Sequence, residues 1–136
     1  MATLCLVDVP SGRRRDLPSG AEIDFDQVYE SAIAPAIADA GLTAGRSHEQ
    51  PELGVVHGAS LACLILADYV IIDVTLANAD VFYELGIRHV AKPYSTVPIF
   101  ARLHAPPFDV TLLGAIPLRC ATAGWSASRP SACERR

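Results

Sequence analysis

The chain has 136 residues, 51% of them apolar and 19% charged, so it is long enough for one packed core, too short for two ordinary domains and too apolar to be largely disordered. Its net charge of −4 excludes a duplex nucleic-acid binder, which needs clustered Lys and Arg on a basic domain. The first apolar stretch, residues 4–7, is too short for a signal-peptide core, and the apolar run 59–72 is broken by Asp68, so neither a secreted nor a membrane-spanning protein is expected.

Residues 3–9 form a short apolar run that opens into Pro10, Ser11 and Gly12, which predicts a buried strand followed by a loop reaching about Ile23. Arg13, Arg14 and Arg15 are the only basic run in this loop. Such a triplet suits either one phosphate group or solvent. Phe25, Val28, Tyr29, Ala32, Ile33, Ala36, Ile37 and Ala40 recur at helical steps, with Asp24 as N-cap, Gly41 as stop and Pro35 as the source of a kink.

A brief strand is expected over 42–46 and a polar loop over 48–54. A second helix, 52–66, should bury Val55, Ala59, Ala62, Cys63 and Leu66. Residues 69–74 are a continuous β-branched run flanked by turn residues, the pattern of a central parallel strand covered on both faces. Helical spacing returns over 79–91, and Pro93 separates it from a strand over 95–101. This alternation predicts a parallel sheet with right-handed crossovers, an α/β fold of the three-layer Rossmann-like, flavodoxin-like kind. No helical period follows Leu118, so the module reads as residues 1–119, abbreviated at its C-terminus, with 120–136 a disordered tail that can be removed at little cost.

Cys5, Cys63, Cys120 and Cys133 show no C-x-x-C spacing, which reads as reduced thiols of a cytoplasmic protein. His48 and His57 have no neighbouring Cys or Asp cluster, so no metal site is expected. No G-x-G-x-x-G follows the first strand, which disfavours a dinucleotide-dependent oxidoreductase, and no cofactor is expected.

The chemistry-bearing stretch is 73–89. Asp73 ends the central strand, Asn78 or Asp80 begins the next helix, and Glu84 lies in its first turns, so two carboxylates approach one crevice. The positive end of the helix would keep Glu84 ionised, as a nucleophile requires. The plainer alternative is that Asp73 and Asn78 satisfy backbone groups at the turn while Glu84 pairs with Arg88 at i, i+4. Tyr83 and Phe82 suit stacking on a base or core packing.

Ala67-Asp68-Tyr-Val-Ile-Ile-Asp-Val-Thr75, Asn78, Val81-Phe-Tyr-Glu-Leu-Gly86 and His89 together resemble the TIR-like and nucleoside 2-deoxyribosyltransferase-like superfamily. The likeness is to the TIR-like module of the apoptosis signal-regulating kinases and its bacterial relatives. Phe25-Asp26 with Val28-Tyr29, Ile33-Ala-Pro-Ala-Ile37 with Ala40-Gly41-Leu42, Gly54 with His57, and Phe108-Asp109 extend it over about residues 4–118. The resemblance implies a nucleotide or nucleoside ligand and a hydrolase that cleaves the N-glycosidic bond of a nucleotide, deoxynucleoside or NAD. Glu84 takes the nucleophile's place with Asp73 beside it. Ser11, Gly12 and Arg13, from the first loop, hold the ligand together with Asn78 and Tyr83. In such hydrolases a second acid falls eight residues before the Asp that precedes the central strand, here Ser60. That departure keeps a catalytically inactive signalling or assembly module open as the alternative, its partner a second copy or a helical-repeat protein.

Overall fold

The structure, a computed structural model, describes residues 2–47, 58–101, 113–121 and 124–127. In chain order the strands are β1 (Leu4–Asp8), β2 (Arg13–Arg15), β3 (Glu22–Asp24), β4 (Thr43–Arg46), β5 (Tyr69–Asp73), β6 (Thr96–Ala101), β7 (Ile116–Ala121) and β8 (Gly124–Ala127). One sheet has the order β4-β1-β5-β6-β7-β8. Its first five strands are parallel, while β8 returns antiparallel on β7, with Cys120 opposite Trp125. The parallel α/β architecture read from the sequence is therefore present.

Period-two alternation distributes the strands between two cores. Cys5 and Val7 of β1 pack with Phe25, Val28, Ile33 and Ile37 on one face, and Leu6 packs with Leu64, Val70, Ile72 and Leu85 on the other. The helices behind these contacts are α1 (Phe25–Val28) and α2 (Ala34–Asp39) on the first face, and α3 (Gly58–Leu66) and α4 (Ala79–Ala91) on the second. Val7, Val70 and Ile72 are completely buried, which is why β5 reads as an unbroken apolar run.

Helix α1 starts where expected, since the Asp24 side chain accepts from the Gln27 N–H at 3.2 Å. The kink expected at Pro35 takes a defined form. A π turn over Tyr29–Ile33 joins α1 to α2, and Pro35 sits in the first turn of α2, where its missing N–H leaves no vacancy. Gly41, at φ +73°, stops α2 with its N–H on the Ala38 carbonyl at 2.9 Å, and the Leu42 N–H reaches Ile37 at 3.1 Å. That pair of bonds is a Schellman cap, closed by Leu42 packing near Ile37.

Three expectations need correction. The first loop is not irregular throughout: β2 and β3 form an antiparallel hairpin around a turn in which buried Asp16 accepts from the Ser19 N–H and hydroxyl. These three-residue strands, one of them entirely arginine, carry too little apolar alternation to announce themselves. Helix α3 buries Leu64, with Ala67 just beyond it, and leaves Ala62, Cys63 and Leu66 exposed. Its sequence is apolar on every side, so no period could orient it. Val55, His48 and His57, together with Phe108-Asp109, lie outside the described residues.

The third correction concerns the expected tail. Residues 124–127 form β8, which lies against α1 and the π turn as well as β7. A short strand held by backbone bonds needs no apolar period, which is why the pattern missed it. A chain ending at Ala121 is expected to lose about 2 kcal/mol, a midpoint lowered by roughly 5–10 °C in thermal unfolding; an unchanged midpoint would show that β8 contributes nothing. Among the described residues no helix is long and apolar enough to cross a membrane.

Candidate functional site

In a sheet of this order the strand connections leave in opposite directions from β1 and β5, and ligands sit beyond the carboxyl ends of strands at such a reversal. Both strands end in an aspartate there, Asp8 and Asp73. A cavity of 310 Å³ opens at this edge, lined among others by Asp8, Ser11, Arg14, Ser47, Asp73 and Asn78. That volume is at the lower end of small-molecule sites.

Asp73 is buried, and its Oδ1 accepts from the Thr75 N–H at 2.8 Å. The Thr75 hydroxyl in turn accepts from the Ala101 N–H at 2.9 Å, tying the turn after β5 to the end of β6. Burial pushes the Asp73 carboxyl up to about 6, against the hydrogen bonding from Thr75 and with the help of the nearby Asp8 charge. Asn78 caps α4, its side chain accepting from the Asp80 N–H at 3.0 Å. Between them Ala77 holds φ +52°, a conformation costly for a residue with a Cβ, so this turn stores backbone strain beside the cavity.

Asp8 is the residue that motif reading missed. Its Oδ1 accepts from the Ser47 hydroxyl at 3.2 Å, whereas Oδ2 is buried and meets no N–H or hydroxyl donor among the described residues. The Glu84 carboxyl lies within hydrogen-bonding reach of Asp8, one turn along α4 from Val81, which lines the cavity. Burial first, then Asp8 and more weakly Asp80, raise Glu84 to about 8. Burial beside a second carboxyl thus favours the protonated form of Glu84, which can share its proton with Asp8. The expectation that the helix end keeps Glu84 ionised is overturned, because burial beside a second carboxylate outweighs the dipole. The available signal was an aspartate closing an apolar strand, Leu-Cys-Leu-Val-Asp8, as in Val-Ile-Ile-Asp73.

The remaining candidates divide. Ser11 lines the cavity, and Gly12 beside it adopts φ +69°, which lets the chain turn into β2. Arg13 turns away: it is exposed and meets Glu22 at 3.7 Å and Asp24 at 3.5 Å. Strand alternation puts its neighbour Arg14 on the cavity side instead, with Nε donating to the Ser11 carbonyl at 3.2 Å. Tyr83 is not in the cleft either. It stands 64% exposed on the outer side of α4, because position 83 lies far around the helix from Val81 and Leu85.

Arg88 does not pair with Glu84. It is completely buried and donates to the carbonyls of Leu64, Ile65, Ala67 and Asp68 at 2.9–3.1 Å, to the Ser95 hydroxyl at 2.8 Å and to the Thr96 hydroxyl at 3.1 Å. It thus caps the carboxyl end of α3, where no glycine does so. Half of the plainer alternative therefore holds, since Asp73 and Asn78 do satisfy backbone groups. The other half fails, and Glu84 is left facing Asp8. Among the described residues no group of three His, Cys, Asp or Glu could hold a metal ion, and Cys5 and Cys63 are free thiols, buried and exposed respectively. No protein-family model, curated protein or solved structure matches the chain.

Proposed function

We propose that the cleft binds a nucleotide or nucleoside and that the Asp8–Glu84 pair cleaves its N-glycosidic bond. The carrying observation is that two carboxyls, Asp8 at the end of β1 and Glu84 on α4, lie within hydrogen-bonding reach of each other at the sheet edge, with burial raising Glu84. N-glycosidic cleavage passes through a sugar with oxocarbenium character and needs both a carboxylate and a proton for the departing base. In the proposed sequence Glu84 passes its proton to Asp8, and the Glu84 carboxylate attacks the anomeric carbon. The bond to the base breaks with its electrons going to the base nitrogen, which takes the proton from Asp8. Asp8 then removes a proton from the water that hydrolyses the glycosyl ester, and the pair is restored.

Arg14 is the cavity's cation and the natural contact for a phosphate, in place of Arg13. Asp73 and Asn78 shape the turn and present polar edges to the ligand. The strand order, with a reversal between β1 and β5, supports a flavodoxin-like variant of the Rossmann-like fold. It is compatible with the TIR-like and deoxyribosyltransferase-like resemblance. A catalytically inactive TIR-like signalling or assembly module is the second reading, favoured by the engagement of Asp73 and Asn78 with backbone groups.

Incubation with NAD, nucleoside monophosphates and deoxynucleosides, followed by chromatography, is expected to release free base from at least one of them. A ligand that raises the unfolding midpoint without turnover would favour the second reading. Neither turnover nor binding would remove the nucleotide site altogether.

A further inference from the structure

Asp8 closes β1 with a carboxylate that has few donors around it. Oδ2 is buried without an N–H or hydroxyl partner, and Oδ1 accepts from one group among the described residues, the Ser47 hydroxyl at 3.2 Å. Asp73, the matching aspartate of β5, is held by both the N–H and the side chain of Thr75. A strand-end carboxylate without such bonds exchanges among rotamers, and a displacement of about 1 Å at a reacting group costs on the order of 10²-fold in rate. Asp8 therefore depends on Ser47 for what Asp73 takes from the turn that follows it.

The chain before Ser47 is anchored so that this hydroxyl stays in place. The parallel register sets Val7 beside Arg46, which makes Asp8 and Ser47 the next residues along on neighbouring strands. Arg46 is buried on the α1 side, where its Nη2 donates to Asp26 Oδ1 at 3.0 Å and its guanidinium lies 4.5 Å from the centre of the Tyr29 ring. An ion pair combined with a ring contact fixes the end of this edge strand. Ser47, one residue on, lines the cavity together with Asp8.

We propose that Ser47 is a positioning residue for the Asp8–Glu84 pair, its hydroxyl holding the Asp8 carboxylate in place to receive the Glu84 proton. The proposal rests on the reading of this pair as the machinery of N-glycosidic cleavage. At 3.2 Å the bond is long for a hydroxyl on a carboxylate, as hydrogen bonds in ligand-free sites often are before the ligand tightens them. The charged and titratable groups around the pair are Asp73 on β5, Asp80 on α4 and Arg14 on the hairpin. A donated hydrogen bond favours a carboxylate's charged form. Without the hydroxyl, the acidic neighbours oppose the loss of the last proton more strongly, and the pair keeps it to higher pH.

Ser47→Ala is expected to lower kcat for base release about tenfold with KM within about threefold of the wild type. The falling limb of its pH profile should move upward by about half a unit to one unit. Ser47→Thr keeps the hydroxyl and should recover most of the rate and the wild-type limb. Carboxyl-carbon NMR of the full chain, with no substrate present, should show the same upward shift of the Glu84 titration in the alanine variant, with far-UV circular dichroism unchanged. The substrate-free titration separates the two readings. A wild type that releases no base, but whose Glu84 titration moves in Ser47→Ala, removes the reaction and supports the hold of Ser47 on the pair. Base release that Ser47→Ala leaves unchanged in rate, limb and titration overturns the role of Ser47 and retains the reaction. A rise in KM alone, or a threonine variant no better than alanine, also overturns it, because Ser47 would then be a ligand contact or a packing residue.

Discussion

Base release should fall by about 10²–10⁴-fold when Glu84 is replaced by glutamine, with ligand affinity nearly unchanged, because the amide keeps the size of the carboxyl and removes the attacking group. The wild-type rate should decline as pH rises through about 8, where Glu84 loses the proton the pair needs. Stability is lost over the same range. The folded-state value of Glu84 is raised above the ordinary 4.5, so its contribution is fully present below that value and is lost as pH climbs through about 8. The glutamine variant has no such loss, and its amide can donate to the Asp8 carboxylate. Allowing for solvent screening at this half-buried position, E84Q should be more stable than the wild type by about 1–2 kcal/mol above pH 8, with the gap closing toward pH 5. Pre-steady-state base release and thermal unfolding between pH 5 and 9 read the two effects. A variant equally active, or less stable at high pH, would sink the paired-carboxyl account.

Removal of Arg88 should have the largest effect on stability of any single change near the site. Arg88→Met removes the donor to the carbonyls of Leu64, Ile65 and Asp68 and leaves Ala67 only Lys92 as a side-chain donor. The expected loss is about 3–5 kcal/mol, or a midpoint lowered by roughly 10–20 °C. Arg88→Lys should rescue little, because one ammonium cannot reach acceptors spread from α3 to Ser95 and Thr96. Urea unfolding of the two variants distinguishes this cap from a peripheral contact. A cost below about 1 kcal/mol for both would show that Arg88 is dispensable.

How far the sequence could be read follows from which signals are local. The bounds of α4 were legible because Asn78 and Pro93 punctuate a clear period, and β5 was legible because a strand covered on both faces must be apolar throughout. Asp73 and Asn78 were correctly placed near one edge for the same reason. What was not legible depended on partners distant in the chain. Arg88 looks like an i, i+4 mate for Glu84 until α3 presents its carbonyl end. Glu84 looks ionised until Asp8, arriving from β1, stands against it. Arg13 and Arg14 are indistinguishable as letters, and only the hairpin decides which of them turns toward the cavity. The orientation of α3 could not be read at all, because a helix without charged residues carries little information about its own outside.

The position of β1 has a temporal consequence. Both of its neighbours, β4 and β5, lie later in the chain, and Cys5 pairs with Tyr69. During synthesis at about 5–20 residues per second, the apolar segment Leu-Cys-Leu-Val must wait several seconds for the strand that completes the centre of the sheet. Closing so long a loop also makes this pairing a slow step in refolding. The nascent chain is therefore most exposed to misassociation before β5 emerges, and a chaperone that shields short extended apolar segments would act on β1 in that interval.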